Sequence, residues 1–100
     1  MISAADWFSH FDLEMTLFKY NLLIGQAQTA PGNAGAPFHK QVESCLLQLC
    51  RELNTPIPIW LSQNTEEFGR FHQTVFFAEQ FDEPVAFDRM RLKLIERQED

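Results

Sequence analysis

From Leu13 to Ala27 the chain reads LEMTLFKYNLLIGQA, and its apolar residues alternate with polar ones at a period of two. Phe18, Tyr20, Leu22 and Ile24 share one side, whereas Leu13, Met15 and Leu17 break to the other near the start. Alternation of this kind belongs to a strand with two unlike faces. It predicts one long strand, kinked or bulged near Leu17 and Phe18, where the apolar side changes. At the other end FDRMRLKLIER alternates again, with Met90, Leu92 and Leu94 opposed to Arg89, Arg91 and Lys93. That is a second long strand with one wet face.

Between the two strands the period lengthens. Phe38, Val42, Cys45, Leu46, Leu49 and Leu53 recur at steps of three and four, which predicts a helix with one apolar stripe. Pro37 suits its first turn, Asn54 tolerates a left-handed cap, and Pro56 blocks continuation, so the helix stops near Leu53. The following PIPIWL carries two prolines without amide donors, which limits it to a short extended piece at or entering a sheet edge. Asn64 with Glu67 three residues on reads as a capping-box start for a second helix whose stripe is Phe68, Phe71, Val75 and Ala78. From His72 onward that helix is favoured, but Thr74, Val75, Phe76 and Phe77 also suit a strand and both readings stay open. Asp82, Glu83 and Pro84 end the element in either case.

QTAPGNAGAPF is rich in Gly, Ala and Pro and reads as a flexible loop over 28–37. Residues 1–12 form an N-terminal arm or short helix, in which Trp7, Phe8 and Phe11 fall at helical spacing and need burial. The expected fold is a single α+β domain over 1–100. Its small antiparallel sheet consists of two long terminal strands, paired centrally, and the short Pro-flanked strand, with two helices on one face.

PIPIWLSQNTEEFGRFHQT and QFDEPVAFDRMRLKLIE together resemble a family of short uncharacterised bacterial proteins of about this length. The resemblance spans roughly residues 13–96 and rests on Pro-x-Pro-x-Trp-Leu, Asn-x-x-Glu-Phe and acidic-x-Val-x-Phe-Asp patterns. In this chain these are Pro56, Pro58, Trp60 and Leu61; Asn64, Glu67 and Phe68; and Glu83, Val85, Phe87 and Asp88. The motifs punctuate structure, so the resemblance implies the fold and carries no activity.

Composition adds that the chain can fold unaided. One hundred residues with 45% apolar side chains, ten of them Phe, bury roughly 65% of the surface of the unfolded chain without a disulfide or structural metal. A formal charge of −6 repels a phosphate backbone, so no nucleic-acid partner is expected. No stretch reaches the roughly 20 apolar residues of a membrane span, and MISAADWFSHFDLE lacks the basic and apolar regions of a signal peptide. A cytoplasmic protein without membrane contact is the expectation.

Each cluster able to carry chemistry has a plainer reading beside it. Cys45 and Cys50 lie five residues apart on a helix, about 140° around its axis, and are expected as buried thiols that neither bridge nor share a metal. His39 and Glu43 stand one turn apart, but no third donor is placed beside them, so no metal and no cofactor are expected. His10 and His72, next to Phe11 and Phe71, read as partly buried histidines. PGNAG before Lys40 lacks the Gly-Lys-Ser/Thr of a phosphate loop and reads as a connection. Glu79, Asp82, Glu83 and Asp88 read as solvated turn chemistry rather than a catalytic pair. Trp60 either faces a partner or, the favoured reading, packs between the two helices.

No catalytic set is visible. The expected function is that of a small non-enzymatic protein acting through protein contacts as a homodimer, with Trp7, Phe8, Phe11 and Trp60 as candidate interface residues. The alternative is a small enzyme or ligand-binding domain with a pocket between helices and sheet.

Overall fold

The computed structural model describes residues 11–31 and 36–96. Strands β1 (Phe11–Lys19) and β2 (Leu22–Thr29) precede helices α1 (Phe38–Glu52) and α2 (Ser62–Phe71). Strand β3 (Gln73–Phe77), a 3-10 turn (Ala78–Gln80) and strand β4 (Arg89–Glu96) complete the order. The strands form one antiparallel sheet in the order β2-β1-β4-β3. This is an α+β fold with both helices on one face, and the strands nearest the two ends of the chain are its central pair.

The core follows from the register of that pair. Leu13, Met15 and Leu17 of β1 face Leu94, Leu92 and Met90 of β4, and all six are buried. Helix α1 lays Val42, Cys45, Leu46, Leu49 and Cys50 on them, and α2 adds Phe68. Each fully buried large apolar side chain contributes about 1.5–3 kcal/mol relative to exposure. Asn54, at φ 53°, takes the expected left-handed conformation just past α1. Gln41, one of the buried polar residues of α1, donates from Nε2 to the Ala36 carbonyl at 2.7 Å.

Four details depart from the sequence reading. The first long strand is a hairpin, turning at Tyr20 and Asn21 with φ of 53° and 65°. Two left-handed residues make the type I′ turn whose twist matches a two-residue hairpin. Tyr20 continues the apolar alternation and hides the turn, while Asp88 Oδ2 accepts its backbone N–H at 2.9 Å and holds it in place. The irregularity expected near Leu17 is present as a bulge: Leu17 faces Gly25, Phe18 faces Leu23, and Ile24 is the additional residue.

PIPIWL, secondly, is extended but joins no strand ladder; Ile59 alone exchanges bonds with Gln80, its N–H donating to the Gln80 carbonyl at 2.7 Å. The sheet takes its third and fourth strands from β2 and β3 instead. Thirdly, α2 begins at Ser62, and Asn64 lies within its first turn, accepting the Leu61 N–H on Oδ1 at 2.9 Å. Asn64 therefore fills the reach-back half of a capping box rather than its starting position. Finally, α2 ends at Phe71: His72 turns left-handed at φ 59°, and 73–77 is strand. Phe71, expected on the apolar stripe, is 61% exposed.

Candidate functional site

The two helices do not close over the sheet along their whole length. Between them and the extended 57–60 segment lies a groove of about 810 Å³. Its apolar lining comes from Phe38, Val42, Leu46 and Leu47 of α1, from Ile57, Pro58 and Trp60, and from Phe68 of α2. Amphipathic spacing places those residues there: the stripe of α1 is wider than the strip the sheet covers, so Phe38 and Leu47 face the groove, each 37% exposed.

Aromatic rings define the inner end. Phe68 meets Phe38 and Trp60 with ring centroids 6.2 Å apart in each case, and Trp60 meets Phe76 at 5.4 Å. Trp60 thus packs against the core as favoured from the sequence and also forms part of the groove wall. Its indole N–H donates to Thr65 Oγ1 at 2.7 Å, which fixes the ring. Gly69, in the middle of α2, also lines the groove, and a Cβ built there meets no atom within 4 Å. A helical glycine costs about 1 kcal/mol relative to alanine, and neither the backbone nor packing in this chain calls for one here.

His39 and Glu43 on α1 and His72 at the end of α2 line the same groove, with all three exposed. Glu43 also lies 3.9 Å from Lys40 in an exposed ion pair. Among the described residues no group of three or more His, Cys, Asp or Glu could hold a metal ion. The acidic residues singled out in the sequence include Asp88, which is committed to the hairpin turn and an ion pair with Arg89 at 3.7 Å. Cys45 and Cys50 are free and buried; burial pushes both thiols up to about 11, with the Asp12 carboxylate adding to the effect at Cys45. A thiol so placed is almost wholly protonated near pH 7 and is a poor nucleophile.

A polar cluster that the sequence reading did not assemble supports α2. Asn64 Nδ2 donates to Thr74 Oγ1 at 2.8 Å and to the Val75 carbonyl at 3.1 Å, and its Oδ1 also accepts from Gln80 Nε2 at 3.0 Å. Thr74 Oγ1 donates to Glu67 Oε1 at 2.6 Å. Asn64 and Glu67 are legible as a helix start, but Thr74 and Gln80 join them only through the folding of β3 and the 3-10 turn.

The sheet face away from the helices carries Arg89 and Arg91. Their guanidinium groups lie 4.8 and 5.3 Å from the Phe18 ring centroid, and Arg91 is 3.7 Å from Glu14. Both arginines have acidic neighbours, so this row presents little free positive charge.

Of the candidate interface residues, Trp7 and Phe8 lie outside the described residues. Phe11 is the first residue of β1 and is partly buried against the core, while Trp60 lines the groove. His10 and most of the PGNAG loop also lie outside the described residues. The motif residues Pro56, Pro58, Trp60 and Leu61 form the extended segment, and Asn64, Glu67 and Phe68 belong to α2. Glu83, Val85, Phe87 and Asp88 lead into β4, where Phe87 packs edge-on against Phe81 at 5.3 Å. No family model, curated protein or solved structure matches the chain.

Proposed function

We propose that this is a small non-enzymatic protein that acts through protein contacts, receiving an apolar segment of a partner protein in the groove between α1 and α2. The observation carrying the reading is Gly69, a helical glycine whose missing side chain leaves open space in an apolar groove. A bound backbone can approach α2 closely there, as small residues allow at helix crossings. Among the described residues no helix is long and apolar enough to cross a membrane. Work in the cytoplasm suits two free buried thiols.

A second reading rests on the groove volume, which falls in the range of small-molecule pockets. An apolar ligand would then take the place of the peptide. Both readings are tested with Trp60 as the sole indole reporter in a Trp7→Phe background. A displayed peptide library is selected on this protein and counter-selected on Gly69→Leu, which fills the groove from a position with free space. The expected result is a set of peptides with two or three large apolar residues that shift Trp60 emission and lose binding to Gly69→Leu. Selection of no such peptide, alongside saturable binding of a lipophilic dye that Gly69→Leu abolishes, would transfer the groove to the ligand reading. Failure of peptide and dye alike would remove both.

A further inference from the structure

The two edges of the sheet are treated differently. At the β3 edge, the bonds from Leu94 N–H to the His72 carbonyl and from Ala78 N–H to the Asp88 carbonyl show that the even-numbered residues face β4. The backbone groups of Val75 and Phe77 therefore point outward. Side chains meet two of them: the Val75 carbonyl accepts from Asn64 Nδ2 at 3.1 Å, and the Phe77 N–H donates to Gln80 Oε1 at 3.0 Å. Strand β3 is also short, with five residues. These are the devices by which proteins blunt an edge.

Strand β2 forms the other edge and, apart from the bulge at Ile24, has none of them among the described residues. It is eight residues long, LLIGQAQT, with no charged residue and no proline. The turn and first half of the strand expose Tyr20 at 79%, Leu22 at 68%, Leu23 at 55% and Ile24 at 49%. A long, uncharged, apolar edge is a template for another strand, and in a chain of formal charge −6 it is a surface on which two copies can meet without bringing like charges together.

We infer that two copies of this chain pair through β2, antiparallel about a two-fold axis, into one continuous eight-stranded sheet. Two identical antiparallel strands are self-complementary, which is what an isologous interface requires. A two-fold at Gln26, near the middle of β2, sets Gln26 against itself and Gly25 against Ala27 of the second copy. Gly25 and Ala27 lie opposite Leu17 and Met15, on the core side of the sheet. This register therefore keeps like faces together and places the helices of both copies on one side. The inference does not rest on the groove, which lies between the helices.

The test is light scattering on the full chain at roughly 50 µM, a concentration at which a micromolar dimer is populated. Wild type is expected at twice the chain mass of 11.7 kDa. Leu23→Lys with Ile24→Lys is expected at the single-chain mass with an unchanged circular dichroism spectrum. Gln26→Cys is expected to form a disulfide-linked dimer, because residues facing each other across a ladder have Cα atoms about 4.5–5.5 Å apart, within disulfide reach. Should the lysine variant lose its fold, the Gln26→Cys cross-link decides. A monomeric wild type, a dimer indifferent to the lysines, or a Gln26→Cys chain that stays unlinked would each overturn the proposal. So would a dimer lost on Trp7→Ala with Phe8→Ala but kept by the β2 variants, which would assign it to the N-terminal arm.

Discussion

Asn64 shows how much one polar side chain can join. Its amide gives two hydrogen bonds and accepts two, tying the backbone at Leu61, the hydroxyl of Thr74, the carbonyl of Val75 and the amide of Gln80. Buried groups deprived of a partner cost about 1–3 kcal/mol each, so Asn64→Ala is expected to destabilise the protein by about 3 kcal/mol. A urea titration checks this through a lower midpoint at an unchanged slope. Cys45 and Cys50 set a second expectation. Burial pushes each thiol up to about 11 in the folded state, from an ordinary value of 9.0. The folded state therefore holds its thiol protons where the unfolded chain loses them, so the contribution of the two cysteines to stability is constant below about pH 9 and falls between 9 and 11. Unfolding free energy measured across that window should decline, and replacing both cysteines with alanine should flatten the decline.

Among the elements, α2 is short and its sequence works against it, since Gly69 lies inside a ten-residue helix. Gly69→Ala adds a methyl that touches nothing and should stabilise the protein by about 0.5–1 kcal/mol, seen as a higher thermal midpoint. Gly69→Leu should also fold but close the groove. A rise in stability with loss of binding would separate a glycine kept for a partner from one kept for the fold. The hairpin of β1 and β2 makes the opposite compromise, with a tyrosine in a left-handed turn position that most side chains avoid. Asp88, reaching from the start of β4, helps to hold that turn through the Tyr20 N–H.

At the scale of the whole molecule, charge and topology act together. The formal charge of −6 already counts the arginines of β4, which lie over Phe18 beside Glu14 and Asp88. Duplex DNA is therefore expected to show no salt-sensitive binding at physiological ionic strength, as fluorescence anisotropy of a labelled duplex would report. A tight complex weakening steeply with salt would mean that the β4 row is free to neutralise phosphates.

The sequence by itself determined the α+β class, the apolar stripe of α1 with its end at Asn54, the alternating faces of β1 and β4, and the irregularity beside Leu17. Each is set by local periodicity or by the backbone freedom of one residue, and neighbours in the chain suffice to express it. Tertiary structure alone decided the turn at Tyr20, the start of β3 after His72 and the exclusion of PIPIWL from the sheet. Tyr20 looks like another strand residue until Asp88 arrives from far along the chain to hold its N–H. Residues 73–77 suit helix or strand until β4 offers them a ladder. The groove was legible only as an alternative, since its walls come from three segments and its width from how the helices splay. The buried network was half legible, because Asn64 and Glu67 lie in one helix turn while Thr74 and Gln80 reach them only once the chain has folded back.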